Sequence, residues 1–138
     1  MSLQREKLEN IIKDNALNEL KKFFCDEKIC NSYVDGALEY TVEYGILNIF
    51  KYILNNYSDK ITDKSLNKSL QYASLYGKLN IVKYILKNYS SKITDKSINT
   101  SLLNATDNGK LNIVKYIEFY RFIKNNTVIY KKTVIFNF

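Results

Sequence analysis

The chain has 138 residues, 46% of them hydrophobic and 25% charged, with a formal net charge of +7. That size predicts one compact unit, the apolar content excludes a disordered chain, and no apolar run reaches the roughly 18–20 residues of a membrane-spanning helix. The absence of His removes the commonest general base and metal ligand, while zero Pro and only four Gly point away from turn-rich β folds and towards helices joined by short connections. The first fifteen residues, MSLQREKLENIIKDN, lack the apolar stretch of a signal peptide, so a cytoplasmic location is expected. Cys25 and Cys30 alone cannot supply a tetrahedral zinc shell, and we expect reduced thiols near helix ends.

In chain order, the first helical signal ends at Asn15, which stands where later units carry glycine and fits a left-handed helix end. Ala16-Leu17-Asn18-Glu19-Leu20-Lys21-Lys22-Phe23-Phe24 then lies over residues 46–54, so a diverged first unit spans about 8–30. From there the pattern is strict. Gly45, Gly77 and Gly109 stand 32 residues apart, and each is followed by nearly the same octet: Ile-Leu-Asn-Ile-Phe-Lys-Tyr-Ile, then Lys-Leu-Asn-Ile-Val-Lys-Tyr-Ile twice. A fixed period of this size is the signature of a repeat architecture. Units are predicted at about 31–62, 63–94 and 95–126.

Within a unit, Leu66, Leu70, Ala73 and Gly77 follow the 3, 4 spacing of one helical face, with Thr62 or Asp63 placed to cap the helix. Leu79, Ile81, Val82, Ile85 and Leu86 form a second, wider stripe beginning just after the glycine, so the chain reverses and packs on the first helix. Thr41, Ala73 and Ala105 keep one position small, which lets neighbouring helices approach. The predicted fold is all-α: a short α-solenoid of stacked helix-turn-helix repeats, 1–126, with an irregular C-terminal tail, 127–138. After Ile117 the repeat stops. We expect its last helix to continue through Glu118–Lys124, and the β-branched, aromatic tail to cap the final unit, with a docking strand for a partner or the scrambled end of a shortened gene as the competing readings and self-association through it as a further one.

These residues resemble the ankyrin-repeat family. Asp63, Leu70, Ala73, Gly77, Leu79, Val82 and Leu86 lie in register with its unit, as do Asp95, Thr100, Leu102, Ala105, Gly109, Leu111 and Val114, and the likeness runs from about residue 8 to about 118. The Asn-, Lys-, Ile- and Tyr-rich wording of each second helix is similar to ankyrin proteins of giant DNA viruses of amoebae. The family's connector glycine is missing, so a short loop with Ile61 or Ile93 tucked in, and little or no strand, is expected in place of a β-hairpin finger. The resemblance implies a non-catalytic protein-binding module with no cofactor or metal. By position it implies contacts from Lys64, Ser65, Asn67, Lys96, Ser97 and Asn99, read as exposed. The residues before each turn glycine, Glu43 and Tyr44, Leu75 and Tyr76, Asp107 and Asn108, complete the candidate surface, although packing is the competing role for Tyr44, Leu75 and Tyr76.

Charge is uneven: residues 1–45 carry 6 basic and 9 acidic side chains, whereas 46–138 carry 15 and 5. The repeat copies lysines into columns, Lys51 with Lys83 and Lys115, Lys64 with Lys96, Lys60 with Lys92. A solvated face that keeps the solenoid soluble is the favoured reading, and a positive face for an acidic protein partner the sharper one. Nucleic acid is disfavoured because Arg occurs only at Arg5 and Arg121. A degraded fragment of a longer ankyrin protein, without a dedicated partner, is the alternative function.

Overall fold

The structure, a computed structural model, describes residues 2–126. Its helices are α1 (Leu3–Lys13), α2 (Leu17–Phe23), α3 (Glu27–Tyr44), α4 (Leu47–Asn56), α5 (Asp63–Tyr76), α6 (Leu79–Asn88), α7 (Asp95–Asp107) and α8 (Leu111–Asn125). They form four hairpins. The first helices, α1, α3, α5 and α7, lie side by side in sequence order, and each packs on the second helix of its own hairpin. The tail, with the cap and self-association expected of it, lies outside the described residues.

Every first helix starts on a side-chain cap. Ser2 Oγ accepts from the Arg5 N–H at 3.2 Å, Asp26 Oδ1 from the Lys28 N–H at 2.9 Å, and Thr62 and Thr94 Oγ1 from the N–H groups of Ser65 and Ser97 at 3.1 Å each. Thr62 and Thr94 are thus the caps, and Asp63 and Asp95 sit one step inside, where a carboxylate favours the helix dipole. Asp26 starts α3 at Glu27, four residues ahead of the boundary read from the period, and makes it 18 residues long against 14 in α5.

Each first helix ends on a left-handed residue: Asn15 at φ 54°, Gly45 at 71°, Gly77 at 76° and Gly109 at 65°. The N–H of the following residue returns to the helix, from Ala16 to Ile11 O at 3.0 Å, Ile46 to Thr41 O at 2.9 Å, Lys78 to Ala73 O and Lys110 to Ala105 O at 2.8 Å. This closure satisfies carbonyls left over at a helix end and sets the reversal into the second helix.

The connectors contain no strand among the described residues. Instead the second and third each make one 3-10 turn, Ser58–Lys60 or Ser90–Lys92, and then a single extended isoleucine that caps the turn. Ile93 is buried and Ile61 half-buried. The loop expected in place of a β-hairpin finger is what forms. The last helix does continue: α8 reaches Asn125 with 15 residues, against 10 in α4 and in α6.

One continuous core runs the length of the stack, through Leu8, Ile12, Leu20, Leu38, Phe50, Ile53, Leu70, Ile81, Ile85 and Ile113. Between hairpins, the lysine column of the second helices has a structural use. The ammonium of Lys21 lies 5.4 Å from the centroid of the Tyr52 ring, Lys51 5.1 Å from Tyr84 and Lys83 5.5 Å from Tyr116. Each lysine therefore reaches forward one repeat and lies over an aromatic face, a cation–π geometry. Its stem covers apolar surface on the way.

Burial pushes the phenols of these columns up. Tyr84 is raised by burial and by neighbouring Tyr89, and Tyr116 is pushed up to about 12 by burial and by Tyr120. A phenol whose folded pKa lies above the ordinary value of 10 holds its proton more tightly in the native state, so its contribution is complete below pH 10 and is lost as pH rises. We expect the thermal midpoint to fall between about pH 10 and 12, the interval those shifts define. Differential scanning calorimetry across that interval checks it, and a flat profile there would contradict the burial of these rings.

Gly36 lies inside α3, where a Cβ would meet nothing within 4 Å. A helix-interior glycine costs about 0.5–1 kcal/mol relative to alanine. Gly36→Ala is expected to stabilise the chain by that amount in a urea titration.

Candidate functional site

The first helices present two facing ridges. On α3, Asp35, Glu39 and Glu43 are exposed at four-residue spacing; on α5, Lys64, Lys68, Tyr72 and Tyr76 follow the same spacing. Between them lies a groove of about 240 Å³, with Asp35 and Glu39 on one wall, Lys64, Lys68 and Tyr72 on the other, and Leu38 and Val42 beneath. The walls are tied across it: the Ser65 hydroxyl donates to Asp35 Oδ1 at 3.2 Å, and Lys68 Nζ lies 3.7 Å from Glu39 Oε1. Further along, the Tyr72 and Tyr76 rings stack at 6.2 Å and 22°, with Lys68 Nζ 5.9 Å from the Tyr72 centroid. Tyr72 is 37% exposed and Tyr76 43%, an open aromatic pair on the surface.

The candidate residues divide. Lys64 and Ser65 meet at this groove, and Glu43 and Tyr76 lie on its flanking ridges beyond it. Tyr44 turns instead towards α1, where its hydroxyl donates to Glu9 Oε1 at 3.3 Å and Lys13 Nζ lies 5.3 Å from its ring. Leu75 is half-buried. On α7, Lys96, Asn99 and Asp107 are exposed, as is Asn108 just beyond the helix, one repeat away from the groove. Three expectations of an exposed contact give way. Ser65 is half-buried, its hydroxyl held by Asp35 and Thr62. Ser97 is 4% exposed, and its hydroxyl accepts from Gln71 Nε2 at 3.1 Å. The Asn67 amide donates to Asp63 O at 2.7 Å and to Lys92 O at 2.9 Å, while its oxygen accepts from the Thr94 N–H at 3.0 Å. Asn67 thus fixes the next connector to α5.

Asp35, Glu39, Lys68 and Tyr72 were not among the candidates, because the resemblance directs attention to the helix ends. The four-residue spacing of the two ridges was the available signal. The lysine columns are partly spent within the fold: besides the lysines over tyrosine rings, Lys92 lies 3.9 Å from Asp63 and Lys124 3.3 Å from Asp95. Both cysteines are free, Cys25 exposed and Cys30 buried. Among the described residues no helix is long and apolar enough to cross a membrane.

Stacked helical hairpins that share one core, with first helices aligned along one side, define a helical solenoid. The sequence pattern described as ankyrin repeats (3 copies) matches residues 38–127, and the chain belongs to the ankyrin-repeat family. No curated protein and no solved structure matches it. Ankyrin repeats are generally protein–protein interaction modules without catalytic activity.

Proposed function

We propose that this chain binds another protein through the face of its first helices, centred on the groove between α3 and α5. The observation that carries this reading is the stacked, open Tyr72–Tyr76 pair beside that groove. Tyrosine is a preferred anchor of protein interfaces because it brings large, rigid, partly polar contact area. The lysines that cross between repeats count against the nucleic-acid reading, since their charge faces rings and carboxylates of the fold itself. A finer affiliation with the ankyrin proteins of giant viruses rests on the wording of the second helices alone.

The test is a pull-down from cytosolic extract with the full chain beside a variant carrying Lys64→Glu, Leu75→Ala, Tyr76→Ala and Lys96→Glu, both shown to be equally helical by circular dichroism. A protein retained by the parent and lost by the variant is the expected result. Capture of the same proteins by both would remove this face, and capture of none would favour a folded fragment without a dedicated partner.

A further inference from the structure

We infer that the pocket between α7 and α8 takes an extended, acidic segment of another protein, held at its backbone by the amide of Asn99. The template for this contact stands one repeat earlier. The Asn67 amide nitrogen donates to Lys92 O at 2.9 Å and its oxygen accepts from the Thr94 N–H at 3.0 Å, so one side chain reads the backbone on both sides of Ile93. Ile93 itself is extended, at φ −94° and ψ 127°, and buried. Main-chain hydrogen bonds on either side of a seated apolar side chain are a general means of holding an extended peptide.

Asn99 stands 32 positions on, in α7, next to the buried Ile98. Its connector is missing. Where α6 stops at Asn88 and the chain turns back, α8 runs on to Asn125, so the residues that correspond to the connector are helical and their backbone groups bond along the helix. The charge contact alone survives: Lys124 Nζ lies 3.3 Å from Asp95, as Lys92 Nζ lies 3.9 Å from Asp63. Beside Asn99 this leaves a pocket of about 240 Å³, lined by Asp95, Ile98, Asn99, Arg121, Lys124 and Asn125. Among the described residues the Asn99 amide has no hydrogen bond, and it is exposed where Asn67 is half-buried.

The charge of the partner follows from Arg121. Lys124 is already paired with Asp95, whereas Arg121 on the pocket wall has no ion pair among the described residues, and a guanidinium takes a carboxylate through two parallel hydrogen bonds. Residues 46–138 carry 15 basic side chains against 5 acidic, so the surrounding field draws a negatively charged segment. The pocket shares no lining residue with the α3/α5 groove, and the contact stands independently of the binding face proposed above.

Nitrogen-15 NMR of the full chain tests this with three capped peptides: Ser-Asp-Lys-Ile-Thr-Asp, the wording of residues 58–63, the same peptide N-methylated at Thr, and the same peptide with Asn for both Asp. The first is expected to shift the side-chain amide of Asn99 and the backbone amides of Ile98 and Arg121 saturably. Its affinity should be about fivefold greater than that of the N-methylated peptide, and should fall about fivefold in Asn99→Ala, checked for an unchanged spectrum elsewhere. Arg121→Gln should weaken the first peptide and leave the Asn-substituted one unaffected. Equal affinity for the first two peptides, or an affinity untouched by Asn99→Ala, overturns the inference. Shifts confined to α3 and α5 overturn it too, while leaving the groove as the protein-binding face. An absence of binding likewise overturns it, and protection of the Asn99 side-chain amide from exchange with water in the free chain would then assign the pocket to the chain's own residues 127–138.

Discussion

Replacing Ile85 by alanine is expected to cost about 2–5 kcal/mol, the range found for removing three carbons from a closed core. Ile85 is wholly buried in α6, a helix that contacts α5 within its own hairpin and α4 and α8 in the neighbouring ones. In a stack, stability is the sum of what each hairpin holds alone and what it gains from its two neighbours. A void at Ile85 therefore weakens three packing surfaces at once. Against a total of about 5–15 kcal/mol for a domain, it removes a large share. Urea denaturation followed by circular dichroism measures it, with Ile85→Val as the graded control at about 0.5–1.5 kcal/mol. A loss below about 1 kcal/mol for alanine would mean that α6 is not closed in by its neighbours.

Gly77→Ala is expected to lose about 1–3 kcal/mol, from two causes that its sister position separates. At φ 76° an alanine pays the steric strain of the left-handed region, and its Cβ would also stand 3.0 Å from Cδ of Lys110, whose stem crosses the turn from the next hairpin. Gly109, at φ 65°, has nothing within 4 Å of the added atom. Gly109→Ala therefore carries the backbone strain alone and should destabilise by less. Equal losses at the two positions would show that the lysine stem yields freely and that only the backbone matters.

The sequence made the repeat legible because the features that set it are local. A residue tolerant of positive φ is needed where each first helix turns back, and Gly45, Gly77, Gly109 and even Asn15 could be found from that need alone. The buried stripes of α5 and α6 follow from helical spacing, and the missing connector glycine already argued against a β-hairpin. What escaped were contacts made one repeat away. Nothing in the neighbourhood of Asn67 says that its amide will hold Lys92 and Thr94, or that Ser97 will be covered by Gln71. Lysine columns read along the chain as repeated charge, and only the stacking distance between second helices shows that Lys51 and Lys83 lie over Tyr84 and Tyr116. The candidate site was partly legible for the same reason. Lys64, Ser65, Glu43 and Tyr76 could be found from the family's pattern, whereas Tyr72 and Glu39 acquire meaning only when α3 and α5 are set side by side.

The lysine that always reaches forward to the next repeat's tyrosine has a consequence for how such a chain can change length. The two middle hairpins each offer a cation on one side and present a ring on the other, so a duplicated 32-residue segment of their kind arrives with both halves of its joints already made. Duplication or loss of a whole segment leaves every remaining joint matched, and the first unit, whose Lys21 stands 30 residues before Lys51 and still lies over Tyr52, shows that the connector can vary in length while the joint is kept. The near-identity of residues 56–67 and 88–99 is what a lineage that grew by such copying would leave behind.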